Sequence, residues 1–427
     1  MTSLDSPSSA DSYAARREAL RGKFPALANP LVFLENAGGA QVPATVPDRI
    51  SRYMRETYVQ LGAPYALSEA CTSTVSRAHD LALRMLNGEG AGLAVLGAST
   101  TALCNMVAAS IAQTIEPGDE FVIAEIGHEA NVGPWDRLSR LGAVIRTWPF
   151  DLASGSCRLE DLEPLLGPRT RLVAVPHVSN LLGEVVDVKG VADRAHAVGA
   201  EVFVDGVAFA PHRAVDVQAF DSDFYVVSLY KVYAPHLAAM FVRQSALERL
   251  VHPNHYFIGP EEGAYAFEPG GVSHEACAGL LGLGDYLAWL GDDQSDAQSN
   301  DGLPLRGTIE AAFGHMAELE SPLIHQLVDG LQSIPGVTLV GPGVGGADRV
   351  GTVSFVHERR RSRAIAESVC EAGIAIRYGH MYAHRLSRRL GLDDADGVVR
   401  ISLVHYNSAE EVGRAVEAVR AAVLDRS

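Results

Sequence analysis

The 427-residue chain lacks what would tie it to nucleic acid, a bilayer or an oxidising compartment. Its 35 basic residues are outnumbered by 52 acidic ones, and a formal charge of -17 repels polyphosphates and anionic membranes alike. No apolar run approaches the ~18 residues of a membrane-spanning helix. Five cysteines, Cys71, Cys104, Cys157, Cys277 and Cys370, are scattered without a CxxC pair, which speaks against a disulfide framework or a zinc site and for reduced thiols. The first residues lack the basic, apolar, small-residue order of a signal peptide, so a cytoplasmic location is expected. Residues 1–12 are Ser-rich and read as frayed, and no internal repeat is visible. What remains, 47% hydrophobic with 41 glycines, is the composition of a soluble α/β protein long enough for one large and one smaller domain.

Short β-branched runs alternate with amphipathic stretches through the middle of the chain. Strands are expected near Leu93–Leu96, Phe121–Ala124, Val144–Trp148, Leu172–Pro176, Val202–Asp205, Phe224–Ser228 and Ala238–Val242, with helical patterns such as Leu159–Leu166 and Val191–Val198 between them. This alternation predicts a mostly parallel seven-stranded sheet covered on both faces, with ligands beyond the carboxyl ends of its strands. The polar stretch from Gly291 to Gly302 reads as a surface loop. After it, a helix over Gly307–Leu331, strands near Val337–Val340, Thr352–Phe355 and Val399–Leu403, and helices at Arg363–Glu371 and Ala409–Leu424 make a smaller α/β unit.

Chemistry concentrates at the expected strand ends. Lys231 follows the apolar run Phe224 to Val227, where desolvation lowers a lysine pKa and frees a neutral amine to attack aldehydes. Asp205 ends the buried run Glu201-Val-Phe-Val-Asp205. A lysine and a carboxylate at the ends of strands in one sheet suit pyridoxal phosphate: the amine takes the aldehyde, and the carboxylate keeps the pyridine nitrogen protonated. Each residue alone has an ordinary reading, Lys231 as a solvated strand end and Asp205 as a helix cap, so the case rests on the set. Gly97-Ala-Ser-Thr-Thr-Ala102 leads into a helical run and offers either a phosphate seat or a cap. His128 and Asn131 follow another strand, where the imidazole can stack on a cofactor ring or cap a helix. Asn180 can donate to a phenolate or form a turn before Gly183. His380, His384 and His405 lack the acidic partner of a recognisable metal site, and no metal is expected.

The order of these motifs resembles a class V aminotransferase-like enzyme of the fold type I pyridoxal-phosphate group, in its cysteine desulfurase-like branch. The stretch Glu35-Asn-Ala-Gly-Gly-Ala-Gln-Val-Pro43, the His-x-Ala-Asn-x-x-Pro-Trp segment from His128 to Trp135 and the Ser179-Asn-Leu-Leu-Gly183 segment carry the resemblance, which runs from about Phe24 to Val423. It implies an N-terminal segment 1–35 joining the small domain, a large cofactor-binding domain 36–305 and a C-terminal small domain 306–427. It implies a homodimer with shared active sites. It also implies that Thr101, Ala102 and Ser228 seat the phosphate, His128 stacks on the ring, Asn180 meets the phenolic oxygen, Asp205 pairs with the ring nitrogen and Lys231 holds the aldehyde. Arg400 would clamp the substrate carboxylate, with Arg377, His380 and Tyr65 also facing the substrate.

The departures bear on function. Desulfurases carry a mobile cysteine in an Arg-x-Gly-x-x-Cys-Ala segment; here Arg377-Tyr-Gly-His-Met-Tyr-Ala383 puts Tyr382 where the thiol would stand, and a phenol cannot take up a persulfide sulfur. Cys370, upstream in a helix, reads as core. Tyr230 replaces the usual histidine before the lysine, able to reach the phosphate or serve as an acid. Ala208 replaces a Gln or His, and Gly271 a threonine that reaches the partner's phosphate. The expected function is a C–S lyase that eliminates a thiol from an S-substituted cysteine, with Tyr382 or Tyr230 protonating the leaving sulfur. Decarboxylative or oxidative deamination, transamination and epimerisation are the alternatives, and a non-enzymatic cofactor-binding regulator is the alternative of another class.

Overall fold

The computed structural model describes residues 17–291, 301–343 and 349–424. The Ser-rich start and most of the polar 291–302 stretch lie outside them. All seven expected strands form: β2 (Gly92–Gly97), β3 (Glu120–Ala124), β4 (Val144–Trp148), β5 (Thr170–Pro176), β6 (Glu201–Asp205), β7 (Phe224–Ser228) and β8 (Ala238–Arg243). They make one sheet in the order β2-β8-β7-β6-β5-β3-β4. β8 runs antiparallel to both β2 and β7, while the β7-β6-β5-β3-β4 pairs are parallel. Six strands therefore share one direction, and their carboxyl ends gather at one edge.

These strands read as unbroken apolar runs because both faces are covered. Tyr225 and Val227 of β7 enter one core with Val202 and Val204 of β6, and Phe224 and Val226 enter a second core with Phe203 on the opposite face. The helices α1 (Thr45–Glu56), α2 (Ala66–Met85), α3 (Thr100–Ile111) and α4 (Val188–Ala197) pack around this sheet, together with α5 (His274–Gly291).

The helix α6 (Arg306–Gln332) then passes from one core to another. Ile309, Phe313, Met316 and Leu319 lie in the large core, whereas Leu323, Ile324, Leu327 and Leu331 lie in a core of their own. Pro322 stands at the change-over, where the missing amide and the ring loosen the helical ladder. The second core is built on an antiparallel sheet, β12-β13-β10-β9, from β9 (Val337–Val340), β10 (Thr352–His357), β12 (Arg377–Gly379) and β13 (Val398–Ser402). It is covered by α7 (Ser362–Glu371) and α8 (Ala409–Leu424). Near the start of the described chain, β1 (Val32–Phe33) pairs in parallel with β11 (Ile374–Ala375).

Helix α5 escapes a periodicity reading because it is apolar on nearly every side and carries four glycines. Those glycines let helices touch. A Cβ on Gly282 would sit 2.5 Å from the Thr45 carbonyl oxygen and 2.8 Å from Val46 Cα of α1. Gly314, on the exposed side of α6, meets nothing within 4 Å. The two positions separate helix propensity from packing. Gly314→Ala should stabilise the protein by about 0.5–1 kcal/mol, while Gly282→Ala should destabilise it by about 1–3 kcal/mol despite the better propensity. Thermal and urea unfolding of the two variants reads the opposite signs; a stabilised Gly282→Ala protein would contradict the α1–α5 contact.

Candidate active site

Five of the six strand ends at the carboxyl edge, those of β2, β3, β5, β6 and β7, are followed by residues that line one site. Beyond β2, Ser99 caps α3 by accepting from the Ala102 amide at 3.1 Å, and the Thr100 hydroxyl lies 2.8 Å from the Ser228 hydroxyl at the end of β7. Ser99, Thr100, Thr101 and Ser228 thus face a cavity of about 530 Å³ together with Asp205 and Lys231. Hydroxyls beside a helix N-terminus make an anion seat. Ala102 is not on its wall, since its amide is spent on the cap; Thr100 takes that place. Asp205, at the end of β6, is 5% exposed and accepts from the Val207 amide at 3.0 Å. Burial raises its pKa, and the Lys231 charge offsets part of that rise.

Lys231 closes a short turn after β7. Desolvation first, then the Arg400 guanidinium, lower its pKa to about 8, against the opposite pull of Asp205 and Glu35. His128, beyond β3, accepts from the Ala130 amide through Nδ1 at 3.0 Å. Desolvation and the charges of Lys231 and Arg400 bring its pKa down to about 4, so the ring is neutral at pH 7. Asn131, by contrast, is structural: it is 1% exposed and its Oδ1 accepts from the Trp135 indole at 2.9 Å.

A second, outer cleft of about 820 Å³ shares His128, Asn180, Tyr230 and Lys231 with the inner cavity and adds Arg377, Arg400 and the loop from Tyr378 to Tyr382. Lys231 stands at the junction. Arg377 and Arg400 are direct cross-strand partners on β12 and β13, so their side chains emerge from one face. Such a like-charged pair is unfavourable alone. Arg377 is paired with Glu35, whereas Arg400, 3% exposed, donates to the Asn180 carbonyl oxygen at 3.2 Å and leaves its Nε without a protein partner. Desolvation lowers the Arg400 pKa to about 10. Asn180 donates to the Met381 carbonyl oxygen at 2.6 Å and leaves its Oδ1 buried and unpaired. Two buried polar atoms without partners, both at the cleft, mark where a polar ligand belongs.

Other expectations fall elsewhere. Tyr230 lines both cavities and stacks on His236 at 4.7 Å. Tyr382 and His380 line the outer cleft, Tyr382 lying 5.2 Å from His128 by ring centroid. The chain does not bring Tyr65 or Gly271 there. Tyr65 is a half-exposed residue before α2, and Gly271, with φ 82°, lines a separate groove beside His79 and Glu268. Cys370 corrects the core reading: it lies in α7 but is exposed. His405 is fully buried and bonded to Tyr286 and Tyr233, away from the cleft. Among the described residues no group of three or more His, Cys, Asp or Glu could hold a metal. Glu35, given no role beforehand, is the residue whose carboxylate steadies Arg377; its position within the quoted Glu35–Pro43 stretch was the available signal.

The family profile described as Aminotransferase class-V matches residues 32–303 and 304–414. The chain belongs to the class V aminotransferase family. It is 38% identical to an aminotransferase-like protein of Gibberella zeae over 412 residues, covering 94% of this chain and 97% of that protein. It is 30% identical to a cysteine desulfurase of Escherichia coli over 420 residues, covering 93% and 96% respectively. In fold it is similar to a cysteine desulfurase from Thermococcus onnurineus, with a TM-score of 0.82 at 23% identity over 98% of both chains. A cysteine desulfurase of Escherichia coli gives 0.79 at 24% identity, covering 95% of this chain and 98% of the other.

This is a pyridoxal 5'-phosphate-dependent enzyme. The residues fit that group: hydroxyls and a helix N-terminus for the phosphate, a buried carboxylate for the ring nitrogen and a depressed-pKa amine for the aldehyde. Capture of pyridoxal phosphate by the cofactor-free protein should therefore accelerate as pH rises through about 8, well below the 10.5 of an ordinary lysine. Because the Arg400 charge lowers that pKa, Arg400→Leu should move the midpoint upward. Stopped-flow absorbance across pH 6.5 to 11 reads both; a midpoint near 10 in the parent protein would refute a desolvated Lys231.

Proposed function

We propose that this enzyme is a C–S lyase that cleaves an S-substituted cysteine, or a related amino acid, to a thiol, pyruvate and ammonia with the uptake of one water. The observation that carries this reading is the position of Lys231 between an inner anion-seating cavity and an outer cleft with a buried, partly unpartnered guanidinium at its wall. When bound, pyridoxal phosphate supplies an aldehyde that captures amines and a ring that stabilises negative charge at the amino acid's α-carbon.

The chain's own residues do the rest. Thr100, Thr101 and Ser228 bind the phosphate, and His128 lies neutral against the ring. Asp205 holds the proton at the ring nitrogen, since a buried carboxylate gains most from an adjacent cation. Arg400 binds the substrate carboxylate and satisfies its Nε. The Lys231 amine, neutral in an appreciable fraction at pH 7 because its pKa is about 8, removes the α-proton as general base. Tyr382 or Tyr230 donates a proton to the departing sulfur. Tyr382 favours elimination over persulfide formation, because the outer cleft is lined by a phenol and by no thiol. Transamination is the second reading, favoured by the aminotransferase-like relative.

A homodimer is proposed as well, supported by the 98% exposure of Tyr256, the 70% exposure of Phe257 and the open groove between Gly271 and α2, all involving the 252–272 segment. The division into 36–305 and 306–427, with 1–35 joining the smaller unit, is supported by the β1–β11 pairing and by the change of core along α6.

Incubation of the loaded protein with S-substituted cysteines, followed by mass spectrometry of every product, tests the lyase. Thiol with pyruvate is the expected result; a keto acid that keeps its C–S bond, or an aldehyde with carbon dioxide, would replace elimination with another reaction at the same site. Lys231→Ala should abolish turnover while still binding amino acid. Asp205→Ala should lower kcat by about 10² or more.

A further inference from the structure

The loop after β12 holds its side chains at a cost. Met381 and Tyr382 both have positive φ, 52° and 60°, a region that non-glycine residues avoid. The Tyr382 ring stays 64% exposed, so burial of the ring does not offset this. Hydrogen bonds hold the loop instead. Asn180 donates to the Met381 carbonyl oxygen at 2.6 Å, the Glu129 amide to the Tyr382 carbonyl oxygen at 2.9 Å, and the Tyr382 amide to His380 Nδ1 at 3.1 Å. An exposed ring fixed on unfavourable backbone at a cleft wall is shaped for something that fills the cleft.

The ring does not stand alone. From His128 a run of rings leads outward: Tyr382 at 5.2 Å and 31°, His380 at 6.2 Å and 89° from Tyr382, then His384 at 5.3 Å from His380. Tyr378 is not part of this run: it pairs with Val399 across the sheet, on the face opposite to Arg377 and Arg400. The nearby Arg377 is paired with Glu35, so its charge is already compensated and is not free to select an acidic side chain. We propose that Tyr382, with His380, forms an aromatic wall that selects amino acids whose distal substituent is a flat ring, such as an arylmethyl thioether. This rests on the reading that the outer cleft takes the substrate side chain. It makes Tyr382 a specificity-determining residue whether or not its hydroxyl also donates a proton.

The test measures binding apart from chemistry. Lys231→Ala protein loaded with pyridoxal phosphate is titrated by calorimetry with S-benzyl-, S-cyclohexylmethyl- and S-methyl-cysteine. The benzyl compound should bind about tenfold tighter than the methyl one, and several-fold tighter than its non-planar cyclohexyl counterpart, as a stacked ring pair allows. Tyr382→Asn, chosen because asparagine tolerates the left-handed backbone, should remove the benzyl preference, and Tyr382→Phe should keep it. The same ratios of kcat/KM in the Lys231 background serve if the Lys231→Ala protein does not load. Equal affinity for benzyl and cyclohexylmethyl compounds, or an unchanged preference in Tyr382→Asn, would overturn the proposal. Ring preference without thiol and pyruvate would sink the lyase reading and leave the wall standing; thiol and pyruvate without ring preference would do the reverse.

Discussion

Three ionisable groups, the half-buried Lys231 and the buried Asp205 and Arg400, converge on one cleft from two sheets, and the surrounding structure answers to that burden. Withdrawing a charge from water without full compensation is among the largest penalties a fold can carry. Here Lys231 is pushed toward neutrality, Asp205 is pushed toward protonation, and even the Arg400 guanidinium is lowered to about 10. Each is thereby poised to gain from the group that would meet it: an aldehyde for the amine, a cationic ring nitrogen for the carboxylate, an anion for the guanidinium. The protein's own partners are partial. Asp205 has one backbone amide, and Arg400 has one carbonyl oxygen and an idle Nε.

Such groups stay in place only on a rigid frame. Six strands running one way bring the loops that follow them to a single edge, and the reversed β8 closes the sheet between β2 and β7. Both faces of β6 and β7 are packed, so the strand ends that carry Asp205 and Lys231 cannot shift independently. Arg400 comes from the other sheet. Its reach across to Asn180, and that of Asn180 to Met381, tie the antiparallel sheet to the parallel one at the cleft itself.

Much of this frame was legible in the sequence, because buried parallel strands are continuous apolar runs and those are the least ambiguous signal a chain gives. The site's main residues were legible for the same reason: each follows such a run. The rest was hidden by tertiary context. Helix α5 is apolar and buried on most of its sides, so it shows no clear amphipathic period, and several of its glycines are points of helix contact. Ala102 could be told from Thr100 only after the Ser99 cap had claimed an amide. Tyr65 and Gly271 sit near the site in the order of motifs but not within one chain's cleft. Cys370 was placed in its helix but on the wrong face, since a lone small apolar residue on a helix does not reveal which way it points.

The exchange of thiol for phenol at residue 382 is more than a change of nucleophile. A thiol that must carry sulfur away from the cofactor needs a loop that swings. In this chain the loop is fastened at both ends of its turn, by Asn180 at Met381 and by Glu129 at Tyr382, and Asn180 is itself a wall of the inner cavity. Loop position and cofactor contact are thus set by one side chain. Moving Tyr382 outward would release the Asn180 amide, and a ligand that engaged the unpaired Asn180 Oδ1 would steady the loop through the same residue. A wall coupled in this way to the cofactor pocket suits recognition of a substituent that stays put while a bond beyond it breaks. It does not suit the carriage of an atom from one place to another.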